Sequence, residues 1–209
     1  VLRYNKNIKK VPCPGGALYE ELAEWQNAWL KRQYDVFAVR DAAYLERMEK
    51  ELKSENGSCS LIYEDDWFIG MESEWGSTEK NLRYLYTGER YRTSAGSRPA
   101  IMARIVCMPE FIKNIRLSEE CPEQEITIEI GVTDLFVSQN QGAWLWKLTK
   151  TGSEMVQESR FIAKGKMAVF TIAELTQWLF GYALPKQISE LPYGSWIEPL
   201  RGIFLDEVV

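Results

Sequence analysis

The residues able to do acid–base or nucleophilic chemistry are few in kind, because the 209-residue chain contains no histidine. Ser-His-Asp and Cys-His mechanisms are excluded, and so are histidine-ligated metal sites. A general base must come from a carboxylate, Lys, Tyr, Cys or a chain terminus. The four thiols are Cys13, Cys59, Cys107 and Cys121. No two have the C-x-x-C spacing, so zinc and thioredoxin-type chemistry lack a motif, and no metal site is expected. Two disulfides are arithmetically possible. No secretory signal opens the chain, and the expectation is four reduced, inert thiols in a cytoplasmic protein. A free-standing hydrolase is the weakest reading, since G-x-S-x-G is missing as well as His.

Three local features invite a functional reading, and each has a plainer one. Glu64-Asp65-Asp66 gathers three acids, but it lacks the ligand spacing of a calcium loop and reads as a solvated turn. Gly15-Gly16 precedes a helix, as a phosphate cradle would. It has no G-x-x-x-x-G-K pattern and reads as a loop. Trp144 and Trp146 share one face of a strand and could line a ligand pocket. Core packing is favoured, because aromatic pairs are favourable neighbours in sheets.

The elements that must position these residues follow from periodicity. Residues 1–17 read as a connector ending in Pro12-Cys13-Pro14-Gly15-Gly16. Leu18, Leu22, Trp25 and Trp29 form one helical face. A second helix starts after Asp41, carries Leu45, Met48 and Leu52, and stops at Asn56-Gly57. Residues 58–63 and 67–75 form a hairpin. Leu82, Leu85 and Tyr86 predict a short helix stopped by Gly88. The polar stretch 89–99 is the main internal boundary.

Beyond it, residues 101–106 are expected as a strand and 109–115 as a short helix opened by Pro109. Residues 125–132 alternate Ile126, Ile128, Ile130 and Val132 on one face. Asn140-Gln141-Gly142 turns into a strand carrying Trp144, Trp146 and Leu148. Residues 167–171 form a strand, and Thr171-Ile172-Ala173-Glu174 is a capping box for a helix with Ile172, Leu175 and Leu179. The tail Ile203-Phe204-Leu205-Asp206-Glu207-Val208-Val209 is apolar almost to the end and is expected to dock.

Composition bounds the rest. Hydrophobic residues make 45% of the chain and charged residues 26%, enough for a sizeable core. No apolar run approaches the ~18 residues of a membrane span. A net charge of -5 disfavours nucleic acid as a partner. At about 150 residues per domain, the length gives about 1.4 domains. With Val1 in place of Met, the expectation is a piece of something longer.

Three motif groups occur in order: Ile101-Met102-Ala103-Arg104-Ile105-Val106; Val132-Thr133-Asp134 with Asn140-Gln141-Gly142-Ala143-Trp144; and Ile172-Ala173-Glu174-Leu175 running to Phe180-Gly181-Tyr182. With the ending Phe204-Leu205-Asp206-Glu207-Val208-Val209, the chain resembles the C-terminal portion of the Eis-like GNAT N-acetyltransferases. The resemblance covers about residues 100–209. It implies an α+β protein in two parts. Residues 1–97 would be a shortened second GNAT-like α/β region. Residues 98–209 would be a sterol-carrier-protein-like domain, a sheet packed with helices.

The catalytic first GNAT domain has no counterpart here. Its acetyl-CoA loop, R/Q-x-x-G-x-G/A, is approached only by Arg92-Thr93-Ser94-Ala95-Gly96-Ser97, which has Ala and Ser where Gly belongs and Pro99 where a helix should start. No cofactor-binding residue is therefore assigned. The resemblance carries over one group, the terminal carboxylate of Val209, as the general base reaching the first domain's active site. Val209 could equally just end a packed strand. The implied function is a scaffold and acceptor-site part of an acetyl-CoA-dependent N-acetyltransferase, inactive alone. Its partners would be the N-terminal GNAT domain of the same parent chain and an amine-bearing small molecule or protein, with no nucleic acid and no membrane, and a homo-oligomer left open. The alternative is a sterol-carrier-like module that binds an apolar ligand without catalysis.

Overall fold

Two periodicities, near 3.6 and 2, resolve into an α+β chain with several sheets and few helices. The computed structural model describes residues 7–92, 102–158 and 167–205. The chain splits into two units, Val1–Arg32 with Phe37–Ala100, and Gln33–Val36 with Ile101–Val209.

The first unit contains β1 (Ile8–Pro12) and α1 (Tyr19–Gln33), and the short β2 (Val36–Phe37) follows at the unit boundary. Next come α2 (Ala42–Ser54), β3 (Ser58–Glu64), β4 (Trp67–Trp75) and β5 (Asn81–Thr87). The four longer strands form one antiparallel sheet in the order β1-β3-β4-β5. Leu61, Met71 and Tyr86 lie directly opposite one another, so they share a face. That face meets α1, where the Trp29 ring stands edge-on to Tyr86 at 5.2 Å. Asp41 caps α2 by accepting from the Tyr44 amide at 2.7 Å, and Leu45, Met48 and Leu52 are its buried stripe. Burying each such side chain contributes about 2 kcal/mol. After α2 the Gly57 amide bonds the Leu52 carbonyl at 2.6 Å. A Cβ on Gly57 would lie 2.3 Å from the Glu74 carbonyl oxygen, so only glycine permits this approach.

The second unit contains α3 (Met108–Phe111), β6 (Arg116–Leu117), β7 (Glu125–Thr133), β8 (Gly142–Thr149), β9 (Gly152–Gln157), β10 (Ala168–Thr171), α4 (Ile172–Leu179), β11 (Ile197–Glu198) and β12 (Ile203–Phe204). Its main sheet runs β10-β7-β8-β9. The β7–β8 and β8–β9 pairs are antiparallel, whereas β10 joins β7 in parallel. The expected alternation holds. Ile126, Ile128, Ile130 and Val132 on β7, and Trp144, Trp146 and Leu148 on β8, are buried. The capping box is formed, with Thr171 Oγ1 accepting from the Glu174 amide and Glu174 accepting from the Thr171 amide. It starts α4 so that Trp178 reaches the core, edge-on to Trp146 and stacked on Phe170, each at 6.0 Å. Among the described residues no helix is long and apolar enough to cross a membrane.

Several expectations need correction. Residues 8–12, read as connector, form β1. The predicted helix at Leu82–Tyr86 positions is β5: Tyr84 and Tyr86 alternate inward against β4 while Leu82 stays exposed. Tyr and Thr suit a pleated surface, and pairing with β4 overrides the helical spacing. Residues 102–106 form no strand, and the backbone groups of Ile105 and Val106 bond to side chains instead. On α1 the buried face is Tyr19, Leu22, Ala23, Gln26 and Leu30, and Trp25 and Trp29 only flank it.

Candidate functional site

The motif segments singled out in the sequence converge on Asp134, just past the end of β7. Asp134 is 2% exposed. Its Oδ1 accepts from the Phe136 and Val137 amides, both at 2.9 Å, and from the Arg104 guanidinium. Its Oδ2 accepts from the Asn140 side-chain amide at 3.0 Å. Asn140 also donates to the Ile105 carbonyl at 3.2 Å and accepts from the Met108 amide at 3.0 Å. Its own carbonyl accepts from Trp144 Nε1 at 2.9 Å. The Ile105 amide reaches Thr176 Oγ1 on α4 at 3.4 Å. These bonds to Thr176 and Asn140 take the place of ladder bonds at Ile105 and Val106, where no strand forms.

Burial opposes ionisation of Asp134, but the Asn140 amide, the Val137 and Phe136 N–H groups and the Arg104 charge outweigh it. They hold the carboxyl down to about 2. A carboxylate this fully bonded is a poor proton acceptor. The cluster ties β7, β8, α4 and the 102–108 segment together rather than doing chemistry.

A second arrangement guides the approach to the chain end. The Leu200 amide bonds the Leu179 carbonyl at 2.8 Å. Asp35 accepts from the Arg201 amide at 2.8 Å, from Nε at 2.9 Å and from Nη2 at 2.5 Å. The Arg201 hydrogen bonds hold the Asp35 carboxyl below the usual range against partial burial, helped by the Arg201 and Arg116 charges. Gly202 adopts φ 108, a left-handed conformation open to glycine, and its carbonyl accepts from the Val36 amide at 3.4 Å. The Tyr34 and Phe204 rings pack at 5.2 Å. The last turn of chain before residue 206 is thus fixed by Gln33–Val36 of the same unit.

Residues 108–192 match the family described as "Sterol carrier protein domain". No curated protein matches the chain. Several solved structures share its fold. A GCN5-related N-acetyltransferase from Kribbella flavida superposes with a TM-score of 0.53 at 11% identity, over 91% of this chain and 53% of that one. A conserved protein of unknown function from Enterococcus faecalis, described as a probable N-acyltransferase, gives 0.61 at 13% identity, over 94% and 57%. A GCN5-related N-acetyltransferase from Anabaena variabilis gives 0.54 at 14% identity, over 95% and 58%. The chain therefore spans little more than half the length of these structures, and at such identities the likeness is one of fold.

The remaining sequence candidates fall as follows. Val209 lies outside the described residues, as do residues 93–97 of the string tested for an acetyl-CoA loop. Trp144 and Trp146 are core, at 3% and 0% exposure. Glu64-Asp65-Asp66 is the β3–β4 turn, with Asp65 at φ 53 and Glu64 accepting from the Tyr91 hydroxyl at 2.6 Å. Among the described residues no three His, Cys, Asp or Glu side chains cluster to hold a metal. The Asp35–Arg201 clamp escaped the sequence reading, because 166 residues separate its partners and neither belongs to a motif. Asp134 did carry a signal: an Asp at the end of an alternating strand, followed by no helix, is a good Asx-turn former.

Proposed function

We propose that this chain is the C-terminal scaffold and acceptor-site part of an Eis-like, acetyl-CoA-dependent N-acetyltransferase. The observation that carries the reading is the fold likeness to N-acetyltransferase structures over 91–95% of this chain but 53–58% of theirs. The sterol-carrier match within the second unit supports the same architecture. On this reading acetyl-CoA binds an N-terminal GNAT domain of the parent chain. The glycine loop before α1 does not suit its pyrophosphate: Pro12 and Pro14 supply no N–H donors, and the loop has no G-x-x-x-x-G-K pattern.

The contribution of this chain would be the Val209 carboxylate, accepting the proton that an acceptor amine loses. The Asp35–Arg201 clamp and the partly buried Ile203 and Phe204 hold the chain as far as it is described, which supports the reading. A small amine or a protein amino group is the proposed acceptor class. The test is acetyl-CoA titration of the 209-residue chain by calorimetry, where no micromolar binding is expected; a micromolar Kd would overturn the reading. In the parent protein, removing Val209 should lower kcat, and an unchanged kcat would remove the terminal-base role.

A second reading, an apolar-ligand module without catalysis, is favoured by the sterol-carrier description of residues 108–192. It predicts saturable binding of a fluorescent fatty acid to the second unit. Trp146, Trp178 and Phe170, each at 2% exposure or less, pack against one another in the core of that unit.

A further inference from the structure

Two partly buried cysteines of the first unit lie opposite each other, Cys59 on β3 and Cys13 just past the end of the neighbouring β1. The register of β1 on β3 sets Pro12 opposite Ser60, so the next pair is Cys13 with Cys59, and the Cys13 amide donates to the Cys59 carbonyl at 3.0 Å. Residues paired in this way hold their Cα atoms about 5.5 Å apart, inside the roughly 4.4–6.8 Å that a disulfide spans. Both side chains project from the face that carries Leu61 and Met71, which brings the two thiols side by side. They border a small pocket with Tyr19 and Leu22 of α1, Met48 of α2 and Met71 of β4. The space there suits about one water, not an extended ligand.

The two thiols are not equivalent. The hydrogen bond from Cys59 favours the Cys13 thiolate and outweighs burial; the Gly15 amide also donates to it, and Glu49 works against it. The result is a Cys13 thiol lowered to about 6. Gly15 makes that bond from φ 83, a conformation glycine adopts freely. Donating that hydrogen bond, together with burial, pushes the Cys59 thiol up. One sulfur is set to attack and its neighbour to hold a proton until needed.

We propose that Cys13 and Cys59 form a thiol–disulfide exchange site for low-molecular-weight disulfides, with Cys13 attacking and Cys59 resolving. The Cys13 thiolate bonds to one sulfur of the small disulfide, whose S–S bond breaks and releases one thiolate to be protonated. Cys59 then gives up its proton to solvent and attacks the Cys13 sulfur, releasing the second small thiol. Two protein thiols are oxidised to one disulfide, and one small disulfide is reduced to two thiols.

Oxidised glutathione is the probe, added to the full chain at pH 7, followed by acid quenching, alkylation and peptide mapping by mass spectrometry. The expected product is a Cys13–Cys59 crosslink with loss of two hydrogens, reversed by dithiothreitol. It should form ahead of any adduct on Cys107, although Cys107 is the more exposed thiol. Cys59→Ser should stop the reaction at a glutathione adduct on Cys13. Cys13→Ser should slow modification of Cys59 by roughly tenfold or more. A wild-type map in which Cys107 reacts while Cys13 and Cys59 stay reduced would overturn the proposal. So would a Cys13 adduct that never resolves. The wild-type map decides the matter even if a variant fails to fold.

Discussion

Asp35 and Arg201, 166 residues apart in sequence, meet through a backbone amide and two guanidinium nitrogens. Asp35 is the hinge pin of the chain's final described stretch. Asp35→Asn should cost about 1 kcal/mol, the upper end for a partly exposed ion pair. Because the folded carboxyl is held low, this stability is fully present above about pH 4 and is lost as pH falls through the folded value. Urea titrations of wild type and Asp35→Asn should therefore differ at pH 7 and converge in acid.

Asp134 follows the same sign with a defined window. Its folded carboxyl sits at about 2, so its contribution holds above about pH 4 and drains away between about 4 and 2. Near-UV circular dichroism of Trp144 and its neighbours should report that loss. Asn140→Ala removes the partner of the Met108 amide and of Asp134 Oδ2 together. About 3 kcal/mol of destabilisation is expected, read from the urea midpoint.

The core of the second unit rests on three rings. Trp178→Ala deletes the contact to Trp146 and the stack on Phe170 and leaves a cavity. Thermal unfolding should show a loss of about 3–5 kcal/mol. Trp178→Phe should retain much of it.

Cys13 should show an unusual pH–rate profile toward an alkylating agent. Titratable groups facing the pair are Tyr19 of α1 and Glu49 of α2, while Glu72 of β4 acts on Cys59 only as a charge from the opposite face of the sheet. With half-ionisation near pH 6, the Cys13 rate should level off by pH 7, whereas an ordinary thiol near pH 8.5 keeps gaining about tenfold per unit. Closing the Cys13–Cys59 bridge should add up to about 4 kcal/mol in the absence of strain, since it encloses both helices of the first unit. Thermal scans of reduced and oxidised protein test this.

Much of the fold was legible where local pattern and tertiary demand agree. The alternation on residues 125–132, the Thr171–Glu174 box and the Asp41 cap are short-range signals, and each appears as read. The failures share a cause. Residues 82–86 fit a helical spacing, but the open edge of β4 supplied the stronger partner. Residues 101–106 look like a strand, but Thr176 and Asn140 take the backbone bonds of Ile105 and Val106. The Cys13–Cys59 pairing has no signal in the sequence, because residues 8–12 carry a connector's composition and without the register of β1 no spacing rule links the two. The candidate base, Val209, was reached through resemblance alone; only the clamp leading toward it is visible in the structure.

The membership of Gln33–Val36 in the second unit sets a rule for dissecting the gene. A product starting at residue 101 would lose the Asp35 carboxylate from Arg201 and the Val36 amide from Gly202. Such a half-protein should express with a loose, protease-sensitive end. A synthetic peptide spanning residues 33–36, tethered upstream, should tighten it.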